Sequence, residues 1–412
     1  MLAPHLARSG AADALTAAAV RAIVDDVRAR GDRAVREHTQ RLDGVDLAPA
    51  QWEVSPAGCR EALARIPHAL RAALETSVAR VRGYHERQVG GGFMDRDAAG
   101  NTVGMRVLPL ERVGVYVPGG KASYPSTAIM SAVPAAVAGV REIILVTPPG
   151  GVTDALLAAA ALAGVTRVFR VGGAQAIAAL AYGTDTIPAV DKIVGPGNRF
   201  VTEAKRQVTG AVGIDMLAGP TEVLIIADGS ADARYVAADL IAQAEHDEDA
   251  SAWCVTTSAR LAVALEGEVA RRAAASPRRA IVERSLAAHG VVVVVPDLDA
   301  AVEVANRRAP EHLELLLEDP WPVANRIRHA GAVFVGGTTP EPVGDYLAGP
   351  SHVLPTGGTA RYASPLGVYD FVKRTSIISY SAARLAEDAA HIIALAEAEG
   401  LAGHAEAVRV RT

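Results

Sequence analysis

RVGVYVPGG, residues 112–120, is a short and nearly continuous apolar run with proline and glycine behind it. A strand buried on both faces of a parallel sheet reads this way, because neither face needs polar residues. The pattern returns as EIILVTPP (142–149), RVFRVGG (167–173) and KIVGPGN (192–198), with helical stretches between. A second series follows: EVLIIAD (222–228), a helix over 231–246, AWCVTTS (252–258), VVVVVPD (291–297), LELLL (313–317) and AVFVGG (332–337). Two βα blocks, roughly 110–226 and 227–338, imply two open α/β sheets facing a cleft. Ligands are then expected at the carboxyl ends of the strands. Ahead of these blocks, residues 12–88 carry apolar positions at helical spacing and residues 102–109 read as extended. Behind them, 361–380 is extended and 381–400 is an Ala-rich helix, a terminal arm of the kind that docks on a neighbour.

The chain has 412 residues, half of them apolar, enough for two or three domains with sizeable cores. A net charge of −5 with interspersed signs and no basic face argues against nucleic acid and anionic membrane as partners. Cys59 and Cys254 are the only cysteines and form no CxxC pair, which suits a reducing compartment. The opening residues lack the apolar core of a secretion signal, and the stretch 126–140 is broken by Pro134 and too short to span a bilayer. These features lead us to expect a soluble cytoplasmic protein.

Several stretches could carry chemistry. In APEHLELL (309–316), Pro310 suits the first position of a helix, where its missing N–H costs nothing, and Glu311 would lie near the positive end of the dipole. The alternative is an acid/base pair, Glu311 and His312. The helix starting near Ser230, with that serine as cap, ends in IAQAEHDEDA, where Gln243 and His246 are three apart and can share a face. The glycine- and proline-rich stretch 336–361 holds Glu341, Asp345, Tyr346, His352 and Arg361, which is more than a plain connection needs. Asp345 is a plausible hard-oxygen ligand, and His352 a ligand or substrate contact. His404 follows a glycine-terminated helix near the end of the chain, with Glu399 five positions earlier. Glycine-rich turns at 116–126, 171–184 and 195–206 each follow a strand and precede a helix, which aims backbone N–H groups at an anion. None is GxGxxG, and neither a GxSxG elbow nor a Walker motif is present. Cys254 sits inside an apolar strand, where a thiol packs and does not react.

Taken together, GVYVPGG, VGGAQAIAALAYGT, KIVGPGNRFVTEAKRQV, IDMLAGPTEVLIIAD, ADLIAQAEHD, NRRAPEHLEL, PEPVGDYLAGPSHVLPTGGTAR and SPLGVYDFVKRTSII resemble, in order and spacing, the L-histidinol dehydrogenase family. The resemblance runs from about residue 15 to 408. It implies oxidation of L-histidinol through L-histidinaldehyde to L-histidine, with two NAD⁺ reduced and one zinc per site. By the same resemblance Gln243, His246, Asp345 and His404 are zinc ligands, with His404 supplied by the other subunit of a homodimer. Glu311 and His312 are the acid/base residues. Tyr116, Gln175 and Asn198 contact NAD, while Thr221, His352 and Glu399 line the substrate site alongside His312 and the zinc ligands. The family usually has serine where this chain has Thr221. The implied fold is a pair of Rossmann-like, aldehyde-dehydrogenase-like domains. Residues 1–115 form a helical segment packing with the second α/β domain, 116–226 the NAD-binding domain, 227–366 the zinc and catalytic domain, and 367–412 a dimerisation arm.

Three other readings compete. A relative acting on another small diol, such as dihydroxypropanesulfonate, would share the zinc and the Glu–His pair. An aldehyde dehydrogenase would need a nucleophilic cysteine in an exposed loop, for which Cys254 is poorly placed. A two-lobed binding protein would not need so many titratable groups in one loop.

Overall fold

The computed structural model describes residues 14–119 and 124–412. The opening of the chain and part of the glycine-rich turn at 116–126 lie outside the described residues. The chain divides into two compact units, one of residues 1–88 and 110–371, the other of 89–109 and 372–412.

In the larger unit the expected strands form two sheets. The first has the order Glu53–Val54, Arg167–Phe169, Glu142–Val146, Arg112–Tyr116, Lys192–Val194, Gly213–Ile214. All neighbours are parallel except the short Glu53–Val54, which runs antiparallel to Arg167–Phe169. The second is wholly parallel, ordered Gly290–Val294, Ser251–Thr256, Glu222–Ala227, His312–Leu316, Ala332–Val335. Glu222–Ala227 and Ser251–Thr256 are buried at every position, as their unbroken apolar runs require. The expected domain limits at 115/116 and 226/227 therefore cut through strands Arg112–Tyr116 and Glu222–Ala227.

The helical N-terminal segment packs chiefly on the first sheet, not on the second as expected. Val20, Ile23, Val24 and Val27 share one core with Ile177, Leu180, Ala204 and Val208. On the opposite face Cys59, Ala62, Leu74 and Val78 join Ile129, Leu156 and Leu157. An amphipathic stripe states that a helix must be covered but not by what, and both faces of the first sheet were left to cover. The helix His68–Glu86 also touches the later loop, where Ser77 Oγ donates to the carbonyl of Tyr346 at 2.7 Å.

APEHLELL begins a strand and not a helix. The preceding helix Leu298–Arg308 ends at Ala309, whose φ of 52° makes it the one non-glycine residue with positive φ among the described residues. Pro310 follows, and His312–Leu316 is a buried strand. The helix carrying Gln243 runs Ala233–Ala244 and is capped by Asp232, which accepts from the N–H of Arg234, so Ser230 is not the cap.

In the smaller unit, strands Val372–Ser379, Thr102–Pro109 and Phe93–Arg96 make an antiparallel sheet, followed by helices Ala382–Ala398 and Ala402–Arg409. Among the described residues no helix is long and apolar enough to cross a membrane.

Candidate active site

Strands Glu222–Ala227 and His312–Leu316 are neighbours, with His312 paired to Val223. Thr221, Glu222, Glu311 and His312 consequently gather at one edge of the second sheet. It is the amino edge, whereas the carboxyl ends were expected. The central pair of strands is set by long-range topology, which a local apolar pattern does not carry.

Glu311 and His312 are both buried. Oε2 of Glu311 accepts from the Thr221 hydroxyl at 2.6 Å and from the Glu222 N–H at 3.0 Å. Burial pushes this carboxyl up to about 8, against the pull of those two hydrogen bonds. His312 Nδ1 lies 3.3 Å from the carbonyl oxygen of Glu222. A carbonyl only accepts, so Nδ1 carries the proton and Nε2 keeps its lone pair. Nε2 is buried without a partner among the described residues. Burial holds the imidazole down at about 4, so it is neutral at physiological pH.

Next to this pair, His246, Glu341 and Asp345 each offer a donor atom, all within 4.8 Å of one another. Gln243 is fully buried in the last turn of its helix; His246 lies just past the helix end. The Gln243 amide donates from Nε2 to Thr221 Oγ1 at 2.9 Å, which leaves Oε1 buried and unpaired. Glu341 opens the six-residue helix Glu341–Tyr346, which also carries Asp345 and interrupts what reads in the sequence as continuous loop. The Glu341 N–H is held by Glu314 Oε1 at 3.0 Å. Oε2 of Glu341 is unpaired and lies 3.8 Å from His312 Nδ1. Burial, with Asp345, Glu311 and Glu314 close by, drives its carboxyl well above the usual range. His352 Nδ1 is 3.7 Å from Asp345 Oδ1, and its Nε2 is 3.4 Å from the hydroxyl of Thr127, on the helix Pro125–Ala138 of the first block. Among the described residues the only basic side chains within 4 Å of the Glu341 and Asp345 carboxylates are histidines, whose nitrogens lie 3.7–4.0 Å away. Carboxylates crowded together with no lysine or arginine against Glu341 and Asp345 among the described residues, beside an unpaired amide oxygen and an imidazole, suit a cation bound by nitrogen and oxygen, as zinc is.

Tyr116, Gln175 and Asn198 border the carboxyl edge of the first sheet. Strands Arg112–Tyr116 and Lys192–Val194 are adjacent, and later strands add on opposite sides of them, so this edge is a topological switch point. The Tyr116 hydroxyl accepts from the N–H of Gly173 at 3.2 Å. A Cβ on Gly173 would lie 2.6 Å from Gln175 Oε1, and one on Gly195, at φ +105°, would lie 2.2 Å from the Tyr116 carbonyl. Gly172 caps the helix Gly173–Tyr182 without a side-chain bond, which leaves backbone N–H groups for a ligand. Asn198 Oδ1 accepts from the N–H groups of Phe200 and Val201, so its NH₂ end is the one it can offer. This glycine cradle fits the phosphates of a dinucleotide.

Thr221 joins Glu311 to Gln243, and His352 joins Asp345 to the first block. Glu399 and His404 belong to the smaller unit, where Glu399 caps the helix Ala382–Ala398 and His404 lies in Ala402–Arg409, both exposed. Cys254 is buried and its thiol is pushed up to about 12, as packing demands.

Sequence reasoning missed two groups. Glu341 was visible only as one titratable residue of its loop. Glu222 holds both His312 and Glu311 with its backbone, while its buried carboxylate accepts from the Gly357 N–H at 2.9 Å and pairs with Arg308. The signal was the polar Glu222 at the head of an otherwise apolar strand.

A buried acid and a neutral imidazole beside a set of nitrogen and oxygen donors, in a unit of two α/β sheets, are the parts of an enzyme that moves protons on a bound substrate. The histidinol dehydrogenase family model matches residues 6–412. Histidinol dehydrogenase from Oceanobacillus iheyensis is 50% identical over 392 residues, covering 94% of this chain and 91% of that protein. The one from Chromobacterium violaceum is 52% identical over 409 residues, covering 98% and 94%. The crystal structure of histidinol dehydrogenase from Elizabethkingia anophelis superposes with a TM-score of 0.92 at 33% identity, covering 98% and 94%. Betaine aldehyde dehydrogenase from Staphylococcus aureus, 13% identical with a TM-score of 0.50, shares the fold alone. The chain belongs to the histidinol dehydrogenase family, a family of oxidoreductases in histidine biosynthesis.

Proposed function

We propose that this chain oxidises L-histidinol to L-histidine by way of L-histidinaldehyde, in the cytoplasm, at a site that takes one zinc ion and uses two NAD⁺ in turn. The observation that carries this reading is the buried, unpaired Nε2 of His312 beside Glu311 and a set of nitrogen and oxygen donors.

Gln243, His246 and Asp345 would hold the zinc, with His404 on the arm of a second copy, residues 367–412, as the fourth ligand. Bound zinc would fix the imidazole and amine of the substrate, and bound NAD⁺ would accept hydride. Tyr116, Gln175 and Asn198, in the block 116–226, would position the dinucleotide. Thr221, His352 and Glu399 would line the substrate pocket.

In the first oxidation His312 Nε2 takes the hydroxyl proton as hydride leaves the carbinol carbon. An imidazole held neutral is ready to do so. The aldehyde must then add water. Glu311 accepts a proton from that water as it adds, giving the singly ionised gem-diol, which loses a second proton and a hydride to become the carboxylate. With its carboxyl raised to about 8, Glu311 becomes competent as this base as pH rises into that range, and it holds the accepted proton more firmly than an ordinary carboxylate would.

The test is NADH formation with L-histidinol, compared with dihydroxypropanesulfonate. Activity with histidinol, lost on chelation and restored by zinc, supports the reading. Preference for the sulfonate would replace it.

A further inference from the structure

We infer that Thr221 is a positioning residue: its hydroxyl, through its bond to Glu311, decides which end of the Gln243 amide faces the metal ligands. The inference deepens the proposed function and rests on its reading of Gln243 as a ligand.

The two ends of an amide have nearly the same size, so only hydrogen bonds decide its orientation. Oε2 of Glu311 accepts from the Glu222 N–H, which can do nothing but donate. Oε2 is therefore an acceptor, and any proton on this carboxyl sits on Oε1. The single hydroxyl proton of Thr221 goes to Oε2, 2.6 Å away. Toward Gln243 the Thr221 oxygen has only lone pairs left to offer. The amide must present its NH₂ end, and does so at 2.9 Å. Oε1 is thereby turned away, buried and unpaired. A carbonyl oxygen can bind a cation and an NH₂ group cannot. One hydroxyl thus links the metal site to the acid.

Valine at this position has nearly the same shape but leaves both Gln243 Nε2 and Glu311 Oε2 without this partner. Serine keeps the hydroxyl. The full-length protein, stripped of metal, is titrated with zinc against a chromogenic chelator. Thr221→Val is expected to weaken zinc binding roughly 10–100-fold and Thr221→Ser less than about threefold, the range typical of groups that orient ligands. In a Gln243→Glu background both ends of the side chain are oxygens and orientation no longer matters, so there Thr221→Val should change affinity less than about threefold. Melting curves accompany every variant, and Thr221→Ala replaces Thr221→Val in both backgrounds if the valine protein does not fold. Loss of affinity in Gln243→Ala with none in Thr221→Val overturns the inference. Equal losses from Thr221→Val with Gln243 intact and in the Gln243→Glu background also overturn it. No loss in Gln243→Ala removes the ligand reading itself.

Discussion

His312 donates its Nδ1–H to the main-chain carbonyl of Glu222, 3.3 Å away, and so keeps Nε2 as the basic nitrogen of the site. Replacing it by asparagine removes that base without adding bulk. His312→Asn should slow oxidation of histidinol roughly 10²–10⁴-fold, with a small effect on KM, because the base acts on the proton in flight and not on ground-state binding. Stopped-flow NADH absorbance checks this.

Glu311 also makes stability depend on pH. Its carboxyl is raised to about 8 in the folded protein, far above an unfolded glutamate, so the folded state binds the extra proton. The stability this provides is complete below the unfolded value and is lost as pH rises through the folded one. His312, held down at about 4, works oppositely and has finished by the ordinary histidine value of ~6.5. From there to pH 8 the Glu311 contribution is unopposed by His312. The metal-free protein should melt at progressively lower temperature across that window, and Glu311→Gln should flatten the decline. Calorimetry across the pH range reads it directly.

Glu222, whose backbone holds both Glu311 and His312, is paired through its buried carboxylate with Arg308. Arg308→Met leaves the Glu222 carboxylate buried without its cation and should cost about 3–5 kcal/mol. The double variant Glu222→Gln with Arg308→Met should recover much of the loss. Urea unfolding of the two variants beside the unchanged protein tests this.

Much of this architecture is legible in the residues. The strands show as apolar runs, since burial on both faces leaves no room for polar side chains. The motifs name Glu311, His312, Gln243, His246 and Asp345. What the chain does not state locally is how strands are ordered. The amino-edge placement of the site depends on Glu222–Ala227 lying beside His312–Leu316, ninety residues apart in sequence. The strand start at His312 was hidden because Pro310 suits a helix as well, and only the left-handed turn at Ala309 decides. Glu341 was hidden because a glutamate in a short helix gains its meaning from the carboxylates around it.

The shared-site part of the proposal has its own consequence. A Glu311→Gln protein and a His404→Ala protein, each nearly inactive in forming L-histidine, are mixed and allowed to exchange subunits, and histidine formation is followed. If His404 serves the site of a second copy, each mixed dimer has one site with both lesions and one intact. Activity should then rise toward about a quarter of wild type, as random pairing gives half mixed dimers with one working site each. No recovery despite exchange shown by mass spectrometry would assign His404 to its own chain.

The division of labour between Glu311 and His312 is tested most directly by single turnovers of Glu311→Gln, supplied with L-histidinol in one experiment and L-histidinaldehyde in the other. The account predicts a first hydride transfer near the wild-type rate and a second slowed by roughly 10²–10⁴-fold, with histidinaldehyde accumulating. Equal slowing of both transfers would contradict it.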